Sequence, residues 1–182
     1  MKVVAVVGMC GAGKSEVAVV FERYGFRKVR FGDLTERELS RRGLEQNEEN
    51  ERRVREELRG ELGMAAYARL SLPAIGAALE KSNVVIDGLY SWDEYTLLKG
   101  HYGDSFFTLA VYASPKTREK RLCGRAVRPL TPRQVGSRDV SEIVNLAKGG
   151  PIAMADCTLV NESTLEELRR ETVRIINLLT VS

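Results

Sequence analysis

The sequence is poor in the residues that build disulfide frameworks and metal clusters. Its 182 residues include three cysteines and a single histidine. The cysteines, Cys10, Cys123 and Cys157, lie far apart, and no Cys-x-x-Cys spacing occurs. This odd, scattered set argues against a zinc site and against a disulfide framework. We therefore expect reduced thiols in a cytoplasmic protein.

Long apolar runs, repeats and low-complexity segments are also missing. A membrane-spanning helix needs about 20 mostly apolar residues, and no stretch approaches that length. The apolar run that follows Lys2 is only as long as a strand, so we expect no signal peptide. With 43% hydrophobic and 29% charged residues, the composition is typical of one compact, soluble domain.

The most specific pattern in the chain is a phosphate-binding loop. Residues 8–15 match Gly-x-x-x-x-Gly-Lys-[Ser/Thr], directly after an apolar run and directly before a helical pattern. Backbone N–H groups of such a loop surround nucleotide phosphates, while Lys14 adds a charge and Ser15 offers a hydroxyl to Mg²⁺. The alternative is a glycine-rich turn without a ligand. We predict that MgATP, or a close relative, is bound by Gly8, Met9, Cys10, Gly11, Ala12, Gly13, Lys14 and Ser15.

Apolar runs alternate with helical patterns along the chain, which predicts an α/β fold. The expected architecture is a P-loop NTPase with a five-stranded, mostly parallel sheet and helices on both faces. Such sheets bind ligands beyond the carboxyl ends of their strands, where Asp33, Asp87 and Asn161 are expected. The strands are predicted near residues 2–7, 28–31, 83–86, 106–112 and 158–160.

Capping patterns predict where several helices begin. Ser91 and Glu94 have the spacing of a capping box, and Ser114, which precedes a proline, predicts another helix start. Ser163 and Glu166 have the same capping-box spacing and predict the start of the last helix.

The chain is expected to form a single domain that carries two inserted segments. The core comprises residues 1–33, 82–115 and 139–182, and residues 116–138 form an arginine-rich lid. Residues 34–81 form a polar, helical insert that binds the acceptor. The helices of this insert are expected to be separated at Gly43, Gly60 and Gly63.

Absent motifs narrow the class of P-loop protein. GTPases usually carry an Asn-Lys-x-Asp run and an Asp-x-x-Gly switch, and neither occurs at the expected place. The chain is also too short for a AAA-type motor with a helical second domain. The remaining class is the small-molecule kinase, in which Asp87 at the end of an apolar strand would hold Mg²⁺ beside Ser15. The alternative role for Asp87 is that of a helix cap.

Arginines recur at three- and four-residue spacing in the predicted lid. Arg118, Arg121, Arg125 and Arg128 would share a helix face, where they repel one another unless anions bind. We expect Arg121 to bind ATP, and Arg125 and Arg128 to stabilise the phosphoryl group in transfer. The alternatives are a solvated basic face or an RNA-binding face. The net charge of +3 fits a nucleotide site as well as a nucleic-acid surface.

The chain also resembles a known family. The motifs that carry this resemblance, besides the phosphate loop, are Phe31-Gly32-Asp33, Arg41-Arg42-Gly43-Leu44, Val84–Gly88, Ala113–Arg118, Arg138-Asp139, and Ala153-Met154-Ala155-Asp156 with Val160-Asn161-Glu162. They are similar to a chiefly archaeal family described as adenylate-kinase-related or dephospho-CoA-kinase-like, within the nucleoside monophosphate kinase superfamily. The resemblance covers nearly the whole chain. It implies a kinase fold that binds ATP, with the adenine near Asn161, but it implies no particular acceptor.

The acceptor side departs from the pattern of these kinases. They tend to carry Gly-Asp-x-x-Arg after the second strand, whereas Glu36 takes the arginine position here and Arg37 follows one place late. The Asp-Gly pair at residues 87–88 also lacks the arginine that usually follows it. The acceptor-binding residues implied by the resemblance are Asp33, Arg37, Arg41, Gly88 and Arg138.

Asp33 has three alternative roles. With a hydroxyl acceptor, as in dephospho-CoA kinases, its carboxylate would accept the proton or orient the attack. With a phosphate acceptor no base is needed, and Asp33 would lie near the metal or cap a helix.

The sequence therefore predicts a kinase that transfers the γ-phosphoryl group of ATP to a nucleotide-like acceptor of nucleoside monophosphate or dephospho-CoA type. Its cofactors would be ATP and Mg²⁺, and no membrane partner is expected. The first alternative is an ATP-dependent assembly factor or switch that acts on RNA or a protein partner. The second is a nucleotide-binding module without turnover. The catalytic groups of the kinase would be Lys14, Arg125, Arg128 and Asp33.

Overall fold

The computed structural model describes residues 1–180, without the side chain of residue 48. Its strands are β1 (Val3–Val7), β2 (Arg27–Arg30), β3 (Val84–Asp87), β4 (Phe106–Tyr112) and β5 (Cys157–Val160). The helices of the first half are α1 (Lys14–Arg23), α2 (Gly32–Arg42), α3 (Glu48–Leu62) and α4 (Ala66–Leu79). The helices of the second half are α5 (Trp92–Tyr102), α6 (Pro115–Cys123), α7 (Pro132–Val144), α8 (Gly149–Ala153) and α9 (Leu165–Thr180).

The five strands form one sheet in the order β2-β3-β1-β4-β5. All four strand pairs are parallel. The central strand β1 is buried along its whole length, as expected for a strand of a parallel sheet that is covered on both faces. The predicted α/β P-loop fold is therefore confirmed, and the sheet, expected to be mostly parallel, is parallel throughout.

The two faces of the sheet pack against different helices. Alternate residues of a strand point to opposite faces, so Val4 and Val6 of β1 pack with residues of α1 and α9. Val3 and Ala5 pack on the other face with residues of α4 and α5. Because both faces are covered, the carboxyl edge of the sheet is where the chain exposes its loops to a ligand.

Most of the predicted helix starts are confirmed, with one correction. Ser91 accepts a hydrogen bond from the Glu94 N–H in a complete capping box, and Ser114 caps α6. The last helix is capped one residue later than predicted, because Thr164 Oγ1 rather than Ser163 accepts a backbone N–H, that of Glu167, at 3.2 Å.

The insert contains three helices whose boundaries match the glycine prediction in part. Gly43 ends α2 and Gly63 ends α3. Gly60 lies inside α3, so the predicted break there is wrong. A single glycine costs a helix only about 1 kcal/mol, and the neighbouring residues continue the helical pattern.

Among residues 1–180, no single helix is long and apolar enough to cross a membrane. The segments Glu49–Leu62 and Ala66–Leu79, bent by 88° relative to each other, meet the criterion only as a pair, by length and composition.

The end of the predicted lid and the residues that follow it form a helix that the sequence analysis missed. Thr131 and Gln134 form a capping box at the start of α7, and Pro132 occupies its first turn. The predicted lid boundary at residue 138 therefore falls in the middle of this helix. The Thr-Pro-x-Gln pattern was a sufficient signal for it.

Candidate active site

The phosphate loop connects the carboxyl end of β1 to the first turn of α1. Gly8 and Gly13 have φ angles of 143° and 105°. A side chain at Gly8 would collide with the carbonyl oxygen of Val111, and one at Gly13 would collide with the side-chain amide of Asn161. Both positions therefore require glycine, for space as well as for backbone conformation.

The amino end of α1 fits an anion. Gly13, its N-cap, provides no side-chain hydrogen bond to the first turn. The first amides of a helix have no intrahelical acceptor, and the helix dipole makes this end positive. These N–H groups are therefore available to phosphate oxygens, as the loop pattern predicts.

Lys14 lies against the loop that it is expected to serve. Its ammonium donates a hydrogen bond to the carbonyl oxygen of Met9 at 3.0 Å. Burial lowers the pKa of Lys14 to about 8, the positive charge of Lys148 acts in the same direction, and Glu142, Cys10 and Asp87 partly oppose both. A bound phosphate would raise the pKa of Lys14 again, because an adjacent anion favours the charged ammonium.

A cavity of about 280 Å³ adjoins the end of the phosphate loop. Asn161 closes one side, since its Nδ2 donates to the Ala12 carbonyl at 2.8 Å and its Oδ1 accepts from Arg121 Nη2 at 3.2 Å. Arg121 Nη1 is buried and has no hydrogen-bond partner within residues 1–180. The cavity and the unsatisfied donor fit a nucleotide base or ribose. The cavity is lined by Gly13, Glu16, Arg121, Asn161, Ser163, Leu165 and Leu168.

The two predicted magnesium ligands lie near the same loop. Ser15 is exposed in the first turn of α1, and Asp87 ends β3 opposite Val6 of β1. The described part of the chain contains no group of three or more His, Cys, Asp or Glu side chains arranged to hold a metal. Mg²⁺ is commonly held by one or two protein oxygens, with phosphates and water as the other ligands. Ser15 and Asp87 fit that kind of site.

Arg118 does not belong to the exposed basic face expected of the lid. Its guanidinium is buried and contacts Asp139 through two hydrogen bonds of 2.6 and 2.8 Å. It also donates to the carbonyl oxygens of Ala113 and Cys10. Arg118 therefore fastens α6 to α7 and to the phosphate loop, which is a structural role.

The other lid arginines are exposed or contact the insert. Arg125 is exposed. Arg128, which has a φ of 53°, lies 3.0 Å from Glu51 of α3. Arg138 is partly exposed, and its Nε lies 3.7 Å from Glu142. The lid thus touches the helical insert through Arg128, while Arg138 contacts a carboxylate beside the phosphate loop.

The predicted acceptor residues of α2 do not all face one cleft. Asp33 and Arg37 line a groove of about 950 Å³ between α2, α4 and the free edge of β2. The Asp33 carboxylate accepts from Arg30 at 3.0 Å. Arg41 is exposed and forms two hydrogen bonds with Glu38 of its own helix. The structure therefore brings Arg37, but not Arg41, to the groove that contains Asp33.

Gly88 lies directly beyond Asp87, on the loop that leads to α5. Its φ of 111° places it in the region that favours glycine. The Tyr90 ring folds back over it, so an added Cβ would lie 2.9 Å from the Tyr90 hydroxyl. Tyr90 thus occupies the segment in which related kinases tend to place an arginine.

Glu142 and Lys148 are two buried charged residues beside the phosphate loop that the sequence analysis did not predict. Glu142 of α7 accepts the Cys10 N–H at 3.1 Å, and its Oε2 lies 2.9 Å from Lys148 Nζ. Glu142 lies 132 residues beyond Cys10 in sequence, and Lys148 lies further still, so no local spacing connects them with the loop. The available signal was a single lysine in a stretch otherwise made of apolar and small residues.

Comparison with known proteins identifies the family. A family model described as "AAA domain" matches residues 4–145. A UPF0200 protein of Thermococcus kodakarensis is 38% identical over 179 residues, which covers 96% of each chain. The chain belongs to the UPF0200 family. The residues matched by the AAA-domain model include the phosphate loop of this chain. Such a match is compatible with ATP hydrolysis and with phosphoryl transfer.

Solved kinases share the fold of this chain. Shikimate kinase from Bacteroides thetaiotaomicron superposes with a TM-score of 0.61 at 13% identity, covering 97% of this chain and 98% of the kinase. A gluconokinase from Sinorhizobium meliloti superposes with a TM-score of 0.60 at 16% identity, covering 100% and 97%. At such identities the likeness shows a P-loop kinase fold. The finer resemblance to adenylate or dephospho-CoA kinases stays a prediction.

Proposed function

We propose that this protein is a phosphotransferase that transfers the γ-phosphoryl group of ATP to a nucleotide-like acceptor. The observation that carries the proposal is the continuity of the donor site. Gly13, at the uncapped amino end of α1, also lines the cavity beside Arg121 and Asn161. One nucleotide would fill both, with its phosphates at the loop and its base in the cavity.

The donor side supports specific roles for its residues. Lys14 would neutralise charge on the outer phosphates, and Ser15 and Asp87 would hold Mg²⁺, which supplies further charge neutralisation when it is bound. Arg125 and Arg128 are near enough in sequence to move together, and their exposure leaves them able to close over the phosphates. Arg121 would contact the nucleotide beside Asn161.

The groove beside Asp33 and Arg37 is the proposed binding site for the acceptor, and its charges suit several kinds of nucleotide-like substrate. The groove beside Asp33 and Arg37 is also lined by Arg27, Lys28 and Lys81, so an acceptor with anionic groups suits it. Both a nucleoside monophosphate and dephospho-CoA have such groups. With a hydroxyl acceptor, Asp33 would accept the proton once its contact with Arg30 was broken.

An acceptor panel tests this proposal. ADP release from MgATP would be measured with nucleoside monophosphates, nucleosides and dephospho-CoA, and with no acceptor. We expect at least one acceptor to raise the rate above the rate without acceptor, and Lys14→Ala to abolish the increase. The proposal fails if no acceptor changes the rate while the protein binds MgADP.

A second candidate function is an ATP-dependent assembly factor or switch acting on RNA or a protein. One observation favours it, which is an apolar face on α7 beside the lid. Val140, Ile143 and Val144 have exposed fractions of 62%, 54% and 71%. Exposed apolar clusters often mark contact surfaces. In that case ATP hydrolysis would be stimulated by the macromolecule and not by any small acceptor.

A further inference from the structure

A buried lysine that the donor site does not yet use lies beside the phosphate loop. Lys148 is 0% exposed. Its ammonium lies 2.9 Å from Glu142 Oε2 and 5.0 Å from the centre of the Tyr90 ring. The contact with Glu142 is an ion pair, and within residues 1–180 Nζ makes no well-directed hydrogen bond. An ammonium has three N–H donors, so Lys148 retains donors for an additional anion.

The turn before Lys148 directs this side chain inward. Ala147 has a φ of 46°, a conformation that is uncommon for a residue other than glycine. The Lys148 N–H donates to the Glu142 carbonyl at 3.2 Å, and the Leu146 carbonyl accepts the Trp92 N–H at 3.3 Å. These contacts hold the turn through backbone groups. They would therefore persist when the Lys148 side chain is replaced.

Glu142 connects the lysine to the phosphate loop. Its Oε2 contacts both the Cys10 N–H and the Lys148 ammonium. Burial alone would raise the pKa of Glu142, but the positive charges of Lys148, Lys14 and Arg138 lower it below the ordinary value. Glu142 is therefore an anion that fixes Lys148 against the loop.

The Glu142–Lys148 pair adjoins Lys14, the lysine that is expected to reach the outer phosphates of a nucleotide. Amides at the start of α1 surround the inner phosphates, whereas the loop lysine reaches the β- and γ-phosphates. That lysine, Lys14, contacts the carbonyl of the Met9–Cys10 peptide, and Glu142 contacts the N–H of the same peptide. Among the charged groups around Lys14, Lys148 has the largest effect on its pKa. Lys14 and Lys148 are neighbouring cations, and their mutual repulsion favours the binding of an anion near them.

We propose that Lys148 is a second cation for the terminal phosphoryl group of the bound nucleotide, with Glu142 as its positioning residue. This inference rests on the proposed function, since it presupposes a nucleoside triphosphate in the phosphate loop. The Tyr90 ring lies against the Lys148 ammonium and stabilises its charge.

Calorimetric titration with a nucleoside diphosphate and a triphosphate analogue measures how much the terminal phosphoryl group contributes to the binding affinity. MgADP and the Mg²⁺ complex of the non-hydrolysable β,γ-imido analogue of ATP would be titrated into the wild type and three variants. Lys148→Met is expected to reduce the affinity ratio of the analogue to ADP by about tenfold or more, because it removes a charge-assisted contact to the third phosphate. Lys99→Met, a half-buried lysine on α5 outside the site, is expected to leave both affinities unchanged.

Glu142→Gln is expected to change the affinity ratio in the opposite direction to Lys148→Met. It therefore distinguishes an effect of charge at the terminal phosphate from a general loss of structure. The glutamine oxygen can still accept the Cys10 N–H, while the negative charge near the terminal phosphate is lost. The ratio of the affinity for the analogue to the affinity for ADP should therefore rise above the wild-type value, even where overall stability falls. A structural role would instead make Lys148→Met and Glu142→Gln lower both affinities alike and leave the ratio at the wild-type value.

The outcomes distinguish this inference from the proposed function. If the wild type binds both nucleotides and Lys148→Met keeps the wild-type ratio, the inference is wrong and the proposed function stands. If the wild type binds neither nucleotide, both are wrong. Where Lys148→Met does not fold, Glu142→Gln decides, because a ratio above the wild-type value supports the inference and a wild-type or lower ratio contradicts it.

Discussion

Single residues shape the donor site through backbone conformation as much as through charge. Gly13 combines a φ of 105° with a close approach to the Asn161 amide. This explains why the loop could be predicted from a short pattern, since only glycine meets both conditions at this point. Asn161, 148 residues away in sequence, is part of the same constraint.

Replacing Gly13 by alanine should damage nucleotide binding more than folding. The new Cβ would displace the Asn161 amide, which holds both Ala12 and Arg121. We expect Gly13→Ala to weaken MgADP binding by about tenfold or more, corresponding to the loss of at least one charge-assisted contact. Calorimetry would measure the affinity, and urea unfolding the stability.

The matched control is Gly76→Ala in α4, where an added Cβ meets no atom within 4 Å. This change should leave binding intact and raise the free energy of unfolding by about 0.5–1 kcal/mol, because alanine is the better helix former. Equal loss of binding in both variants would contradict the role given to the Gly13 contact.

Glu94, the buried partner in the capping box of α5, predicts a pH dependence of stability. Burial raises the pKa of Glu94 from 4.5 to about 7, although the N–H groups of Tyr90 and Ser91 favour its charged form. A raised pKa in the folded state means that the related stability is complete below pH 4.5 and is lost as the pH rises through 7. The wild type should therefore become less stable between pH 5 and pH 8.

Glu94→Gln should remove this dependence, because an amide does not titrate but still accepts the two N–H groups. At pH 8 the free energy of unfolding of the variant is expected to exceed that of the wild type by up to about 3 kcal/mol. This figure is the difference between the pKa of Glu94 in the unfolded chain, 4.5, and in the folded protein, about 7, expressed as a free energy. Urea unfolding at pH 5 and pH 8 measures both proteins. A pH-independent difference between them would show that Glu94 does not titrate in this range.

The sequence revealed residues whose role is local and missed those whose role depends on the fold. The loop glycines, Lys14 and Ser15 belong to one pattern of eight residues. Lys148 and Glu142 reach the same loop only because α7 packs beside Cys10, a contact that no spacing encodes. For Arg118 the sequence pattern was misleading. Its spacing grouped it with the exposed arginines of the predicted lid, whereas the fold buries it against Asp139.

Among the helices, α6 and α7 are joined by an ion pair between Arg118 and Asp139. Arg118 of α6 and Asp139 of α7 have side-chain exposures of 5% and 20%, so the pair is largely desolvated. Removing one partner of a buried pair leaves the other charge uncompensated. Arg118 also holds the Cys10 carbonyl, so the loss would reach the phosphate loop.

Asp139→Ala is therefore expected to lower the free energy of unfolding by about 3–5 kcal/mol and to weaken MgADP binding. Glu171→Ala on the exposed face of α9, where the pair with Arg174 is solvated, should change stability by less than about 0.5 kcal/mol. Urea unfolding of both variants gives the comparison. Similar losses in the two variants would contradict the structural role of Arg118.

Helix starts were predictable where a capping side chain lies next to the helix, as at Ser91 and Ser114. The start of α9 was misplaced by one residue because Ser163 and Thr164 are both good caps, and only the path of the chain after β5 selects Thr164. Gly60 was misread for a related reason. Packing of α3 overrides the weak helix preference of one glycine.

At the scale of the whole molecule, the parallel sheet brings distant segments to one edge. The order β2-β3-β1-β4-β5 sets β1 between β3 and β4, so the phosphate loop lies between the segments that follow those strands. This arrangement follows from alternating strands and helices and was therefore predictable. The groove proposed for the acceptor was not, because it depends on how α2 and α4 lie beside the edge strand β2.

The central claim is phosphoryl transfer from ATP bound at this loop. The most direct measurement is the fate of a labelled γ-phosphoryl group, followed by chromatography with each nucleotide-like acceptor, for the wild type and for Lys14→Ala. The account predicts that the label appears on at least one acceptor with the wild type and on none with Lys14→Ala. Label that appears only as inorganic phosphate, at a rate no acceptor changes, would contradict it.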